Sequence, residues 1–131
     1  MKISIITAVF NRESTIERCV RSVLNQKYED IEYIVVDGLS TDGTMEILSQ
    51  FEGQITKLVS ARDFGIYDAL NKGLSMATGD VIGFLHSDDY FASNDVVASI
   101  AREMESHSMD LLYADLDFFH QNTPEKSTRF Y

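Results

Sequence analysis

The sequence predicts an α/β fold, a three-layer sandwich built around a mainly parallel sheet. Three observations carry that expectation. Short β-branched apolar runs, KISIITAV (2–9), EYIVV (32–36), ITKLV (55–59) and VIGFL (81–85), alternate with stretches whose apolar residues recur every three to four positions. Polar turns with glycine or acidic residues punctuate these runs. The 131 residues, 44% hydrophobic and 24% charged, suit one domain without repeats or linkers, able to bury about two-thirds of its unfolded surface.

Residues 2–9 read as a first buried strand. After a polar turn, Ser14-Thr15-Ile16-Glu17 has capping-box spacing, in which a hydroxyl and a carboxylate satisfy amides at a helix start. Ile16, Cys19, Val20, Val23 and Leu24 then follow at i, i+3, i+4, i+7 and i+8, the stripe of an amphipathic helix. Residues 32–36 form the second strand, ending at Asp37-Gly38, and a turn over Leu39–Gly43 leads into a helix from Thr44 to Gln50. Ile55–Val59 is a third, weaker strand, followed by a loop, SARDFGI, whose Gly65 supplies a positive φ.

Tyr67–Ala77 reads as a helix with Leu70, Leu74 and Ala77 on one side and an unfavourable Gly73 within it. The stretch GDVIGFLHSDD (79–89) is expected to carry the central strand, buried on both faces. Ser93 or Asn94 caps a helix to Ser106 with a buried stripe of Val96, Val97, Ile100, Ala101 and Met104. Residues 110–119 alternate as a further strand, with Leu112, Ala114, Leu116 and Phe118 on one face. The tail, HQNTPEKSTRFY, carries the only proline and reads as a loop.

The net charge of −10, from 21 acids and 11 bases, argues against nonspecific binding to nucleic acid or an anionic membrane. An anionic ligand must then be received by a local device: a cation, a helix start or a few placed basic residues. The single cysteine, Cys19, cannot form an internal disulfide; it reads as a buried core thiol in a reducing compartment. No apolar run has the length of a membrane span, and the amino terminus reads as a core strand and not a signal peptide, so the expected location is the cytoplasm.

Right-handed crossovers place Thr7–Asn11, Asp37–Gly38, Arg62–Gly65 and Ser87–Asp89 on one edge of the sheet, where open α/β folds bind ligands. Asp88 and Asp89 are adjacent acids at a strand end. Two carboxylates about 5 Å apart repel by roughly 3 kcal/mol at an effective dielectric near 20. One of them stays protonated, solvent separates them, or a cation sits between them; Mg²⁺ or Mn²⁺ suits carboxylate and phosphate oxygens. Alone, such a pair is more often a loop or cap feature.

Asp37 can accept from a base or a ribose, or act as a turn acid. Thr7, Ala8, Phe10 and Asn11 can wall a nucleotide or simply form a turn, and Arg12, Arg62 and Lys72 are candidates to neutralise phosphate among otherwise solvated cations. His86 is a loop residue or a group behind a metal ligand. No GxxxxGK[ST], GxGxxG, Cys/His cluster or GxSxG is present.

The blocks SIITAVFNRESTIERCVRSVLNQ (4–26), IVVDGLSTDGT (34–44) and DFGIYDALNKGLSMATGDVIGFLHSDD (63–89) resemble, in order and spacing, the inverting family-2 glycosyltransferases, above all bacterial members that build cell-surface polysaccharide. The resemblance implies the Rossmann-like type-A (GT-A) nucleotide-sugar fold and transfer from a UDP-sugar or similar donor to a glycan or lipid-linked acceptor, with Mg²⁺ or Mn²⁺ bridging the diphosphate. A lipid-linked acceptor would bring the chain to a membrane surface. The resemblance assigns Thr7–Asn11 to the nucleotide and Asp37 to the base. It places Asp68, Asn71 and Lys72 beside the donor, with Ser87 and Asp88 at the same edge, and Asp88 and Asp89 on the metal.

Two departures matter. Ala61 stands where the family often has an acid, and the usual general base would lie beyond the 42 residues that follow Asp89, since Asp115 and Asp117 read as strand-end residues. The expectation is therefore a donor-binding half whose acceptor half is missing. A non-catalytic nucleotide-sugar-binding module is the alternative. A receiver-like signalling domain fits poorly, because Asn11-Arg12 follows the first strand where acids are needed.

Overall fold

The structure is a computed structural model that describes residues 1–107, 110, 112, 117–120 and 123–130. Four parallel strands run β1 (Ile3–Val9), β2 (Ile31–Asp37), β3 (Lys57–Ser60) and β4 (Val81–Phe84), in the spatial order β3-β2-β1-β4. Helices α1 (Ile16–Leu24), α2 (Thr44–Ser49) and α3 (Ile66–Met76) connect them, and α4 (Val96–His107) follows β4. The registers Val9↔Asp37, Asp37↔Ser60 and Ile6↔Phe84 bring all four carboxyl ends to one edge.

Alternation along β1 and β2 sorts the core into two layers. Ile3, Ile5, Val9, Tyr33 and Val35 pack with Ile16, Cys19, Val20 and Val23 of α1, Leu48 of α2, and Val97 and Ala101 of α4. Ile6, Ala8, Ile34 and Val36 face the other way, onto Ala69 of α3. Gly73 allows that second contact: a Cβ there would lie 2.5 Å from Ile6 Cγ2, so α3 approaches β1 more closely than any side chain would permit.

Several expectations are corrected. The strand expected at the centre is β4, an outer strand among the described residues, with Ile82 at 38% and Phe84 at 52% exposure. Strands β1 and β2 occupy the interior instead. The capping box is displaced: Thr15 is the N-cap and makes no side-chain cap bond, the Thr15 and Ile16 amides both donate to Arg12 O, and Glu17 pairs with Arg21 at 3.4 Å. On α3, Ala69 and Gly73 are buried, whereas Leu74 is 43% exposed. Of the stripe on α4, Val97, Ala101 and Met104 are buried and Val96 and Ile100 partly so.

Residues 102–131 form a second unit. Within it β5 (Asp117–His120) pairs antiparallel with β6 (Thr123–Phe130), with an irregular register. The tail expected to be a loop is therefore largely strand. Pro124 is tolerated there as the second residue of β6, where a missing amide does least harm to a ladder. Of the strand expected over 110–119, residues 117–119 lie in β5, Asp110 and Leu112 are not in a strand, and Leu111 and residues 113–116 lie outside the described residues.

Candidate functional site at the carboxyl edge

Asp88 and Asp89 sit on a tight turn that leaves β4. Leu85 N donates to Ile6 O at 3.0 Å, ending the strand, and Asp89 N donates to His86 O at 3.0 Å, closing the turn. Ser87 is buried at 7% exposure, Asp88 and His86 are exposed, and Asp89 is partly buried. Burial raises the Asp89 pKa, the neighbouring Asp88 charge raises it further, and His86 acts in the opposite sense. Mutual repulsion therefore contributes as expected, but desolvation is the larger cause.

Across the sheet, Asp37 is wholly buried at the end of β2. Its Oδ1 accepts from Ser40 Oγ, and its Oδ2 accepts from Ser40 N at 3.1 Å and Ser60 Oγ at 2.8 Å. The carboxylate is thus engaged by the protein's own serines and presents no exposed surface to a base. The carboxylate also fixes the loop after β2, which turns through Leu39 at φ 62.

Asn11, at φ 49, laces that loop to the end of β1: its amide donates to Ser40 Oγ at 2.9 Å, and its Oδ1 accepts from Thr41 N at 2.8 Å. Arg12 N donates to Thr44 Oγ1 at 2.9 Å. Phe10 is 53% exposed on the same turn. Asp42 is held below the usual carboxylate range, chiefly by the Thr44 hydroxyl.

Thr7 and Ala8 do not present side chains at this edge. Ala8 is buried against the α3 layer, and the fully buried Thr7 hydroxyl lies 3.0 Å from Tyr33 Oη and 3.9 Å from Cys19 Sγ. Burial pushes the Cys19 thiol up to about 11, against hydrogen bonds with Tyr33 and Thr7, so it stays protonated and donates to His86 O at 3.4 Å.

The loop from β3 to α3 is folded back on its own helix. Lys72 Nζ donates to Arg62 O at 2.6 Å and lies 3.3 Å from Asp68, whose Oδ2 accepts the Phe64 amide at 3.0 Å. That amide, together with Lys72, lowers the Asp68 pKa. Lys72 and Asp68, expected beside the donor, thus shape the loop, while Arg62 and Asn71 are exposed. Asp63 comes against the β2 loop so closely that a Cβ on Gly38 would lie 2.5 Å from its Oδ2. Ala61, in place of an acid, contributes its amide to Asp37 O at 2.9 Å.

The family model for glycosyl transferase family 2 matches residues 4–129. The chain belongs to this family. A relative of this family-2 chain, an uncharacterized glycosyltransferase of Mycobacterium tuberculosis, is 44% identical over 97 residues, covering 73% of this chain and 37% of its own length. Among solved structures, Staphylococcus aureus TarS 1–349 in complex with UDP-GlcNAc matches with TM-score 0.75 and 27% identity, over 82% of this chain and 32% of that one. A mannosyltransferase from Pyrobaculum calidifontis in complex with GDP-Man and Mn²⁺ matches with TM-score 0.73 and 25% identity, over 79% and 32%. The fold of these neighbours is the type-A (GT-A) glycosyltransferase fold expected from the sequence. The family-2 chain spans 32–37% of the length of these three proteins.

The acid turn of the family-2 chain fits a hard divalent cation. Its two carboxylates are adjacent, and the charged form of Asp89 is disfavoured by burial and by Asp88, a penalty that a cation relieves. Among the described residues no three His, Cys, Asp or Glu side chains gather as a metal cage. Two acids leave most of the oxygen shell to phosphate and water, the arrangement that suits Mg²⁺ and Mn²⁺.

Sequence reasoning missed Ser40 and Ser60, which depend on turn geometry and strand register. The Asp68–Lys72 pairing was visible as an i, i+4 spacing.

Proposed function

We propose that the chain carries the donor site of a glycosyltransferase that moves a sugar from a nucleoside-diphosphate sugar, a UDP-sugar, to an acceptor hydroxyl with inversion. Asp88 and Asp89 are the residues that would hold Mg²⁺ or Mn²⁺. When bound, the ion screens the charge that builds on the departing diphosphate. The Asn11–Phe10 turn and the loop pinned by Asp37 form the nucleoside end of the crevice. Arg12 and Arg62 supply positive charge at its rim, while Lys72 and Asp68 keep the Arg62–Gly65 loop in register. A buried, protonated Cys19 beneath the acid turn excludes water from its underside.

The acceptor, a glycan or lipid-linked hydroxyl, approaches the anomeric carbon opposite the diphosphate. A reducing, cytoplasmic setting suits a free buried thiol and a nucleotide-sugar donor.

The observation that carries this reading is the acid turn: two adjacent carboxylates at the carboxyl edge of a family-2 fold, one with its charged form disfavoured. Titrating UDP calorimetrically into the chain with Mn²⁺, and again with EDTA, tests it. Binding that strengthens about tenfold or more with the metal is expected, a change of roughly 1.4 kcal/mol. Heats indifferent to EDTA would remove the metal from the reading.

A further inference from the structure

One face of α1 and the turn that follows it are bonded, step by step, to the segment that carries the acid pair. Arg18 lies over the Tyr90 ring, 4.6 Å from its centroid. The Cys19 thiol donates to His86 O at 3.4 Å, the same carbonyl that receives the Asp89 amide at 3.0 Å. Ser22 Oγ donates to Cys19 O at 2.8 Å and accepts the Phe91 amide at 3.1 Å. Gln26 is buried at 9% exposure. Its Nε2 donates to Ser22 O at 3.0 Å and Ser93 O at 2.6 Å, and its Oε1 accepts the Val97 amide at 3.0 Å. Lys27 N donates to Asn94 O at 2.6 Å.

Such a series differs from ordinary helix packing. Core contacts between apolar side chains tolerate sliding, because dispersion has little directionality. Buried hydrogen bonds to backbone groups do not, since each has a narrow geometry and an unmade one costs the desolvation of its donor or acceptor. Cys19 and Ser22, at i and i+3, share one side of α1, and Gln26 follows just past the helix's carboxyl end. Their partners, His86, Phe91, Ser93 and Val97, follow one another along the segment in the same order. Helix and segment are therefore held in a single register, with Asp88 and Asp89 between the first two grips.

We propose that Cys19, Ser22 and Gln26 are positioning residues: the surface they form along α1 and just past its end fixes the height and spacing of the Asp88-Asp89 turn and so sets how tightly it grips a metal-bound diphosphate. Being rigid before binding, the turn need not be ordered by the ligand, which is where preorganisation gains affinity. The inference rests on the donor-site reading above for the ligand, but not for the register itself.

The test uses the 131-residue chain, UDP and Mn²⁺, and reads the ratio of UDP affinity with metal to that with EDTA. A merely structural role would lower stability and leave that ratio alone. Gln26→Ala is expected to shrink the ratio about five- to tenfold, the effect of one or two buried hydrogen bonds. Cys19→Ser, which keeps a donor toward His86 O, should hold the ratio to within about twofold. An unchanged ratio in folded Gln26→Ala overturns the proposal.

Should that variant fail to fold, amide exchange in Ser22→Ala decides. The Phe91 and Asp89 amides should exchange about tenfold faster while Ile34, in the core of β2, is unmoved. Equal acceleration at all three amides, or none at Asp89, overturns the inference. If the unsubstituted chain binds UDP with no help from Mn²⁺, the metal leaves the donor-site reading, and the exchange measurement still decides the register.

Discussion

At the amino end of the strands Glu32 is buried, its side chain 4% exposed, and both of its oxygens are fully engaged. Oε1 accepts from Ser4 Oγ at 2.7 Å and Thr78 N at 2.8 Å; Oε2 accepts from Thr78 Oγ1 at 2.8 Å and lies 3.1 Å from Lys57 Nζ and 3.6 Å from Lys2 Nζ. At the carboxyl end Asp89 is partly buried beside another acid. Burial alone would raise the Glu32 pKa, but the Thr78 amide, the Ser4 and Thr78 hydroxyls and Lys57 outweigh it and hold the carboxyl well below its usual range. Burial raises that of Asp89 with little to oppose it. The same residue chemistry thus locks one edge of the sheet and leaves the other charged and unfinished. A fold that must bind at one edge can draw its stability from the opposite one, an expected division where function needs a strained or repulsive site.

The largest effect that sharpens this contrast is at Glu32. Glu32→Ala removes the acceptor of Ser4 Oγ, Thr78 N and Thr78 Oγ1 and the charge partner of Lys2 and Lys57, whose ammonium groups keep Thr78 Oγ1 and Met76 O as acceptors. Because Lys2 and Lys57 remain more than a third exposed and regain water, the loss falls mainly on the buried groups, about 3 kcal/mol. A fall in the urea midpoint at constant slope checks it. The pH dependence has a definite sign. With its folded pKa depressed, Glu32 contributes its full stability above about pH 4.5, its unfolded value, and loses it as pH falls toward the folded value. The alanine variant should therefore show a flatter acid limb below pH 4.5 than the unsubstituted chain. An equally steep limb would mean that other carboxylates carry the acid transition.

Asp89→Asn comes next and should act in opposite directions on binding and stability. Losing one carboxylate ligand is expected to cost at least about tenfold in Mn²⁺-dependent UDP affinity. Removing a charge disfavoured by burial and by Asp88 should raise stability by about 0.5 kcal/mol, because the raised folded pKa makes the ionised acid a liability above that pKa. Calorimetry and thermal unfolding on the same preparation read both. A variant that loses stability would break the comparison, since Asp89 would then be a structural acid like Glu32.

The amino-acid pattern made the interior of the sheet legible and its edges much less so. Strands β1 and β2 were readable because β-branched residues alternate around a few small polar ones, and such runs pack on both faces. The run VIGF looked central for the same reason, yet Ile82 and Phe84 are exposed: an apolar side chain reads alike whether or not anything covers it. The acids at strand ends were legible as positions. What each one bonds was not, because Ser40 meets Asp37 only through the turn at Leu39, and Ser60 only through the β2–β3 register. Lys72 reads as one candidate for phosphate, yet Asp68 stands four residues before it, where a helix brings opposite charges together. The tail reads as loop because of its one proline, which a strand accepts near its start.

The smallest effect expected is at Leu39, and it asks whether the carboxyl edge holds strain as well as charge. Leu39 adopts φ 62 and is 50% exposed. A bulky residue in the left-handed region is an outlier whose cost is about 1–2 kcal/mol. Glycine removes that cost but gives the unfolded chain more freedom, worth about 0.5–1 kcal/mol in the other direction. Leu39→Gly should therefore stabilise by about 0.5–1 kcal/mol, a shift of a few degrees in Tm for a domain of this size. The bonds from Ser40 to Asp37 do not involve the Leu39 side chain, so UDP affinity should survive the change. A loss of stability would mean that contacts of the leucine side chain outweigh its backbone strain, and the β2 loop would then follow the same rule as the Glu32 end: every group placed where it holds the fold together.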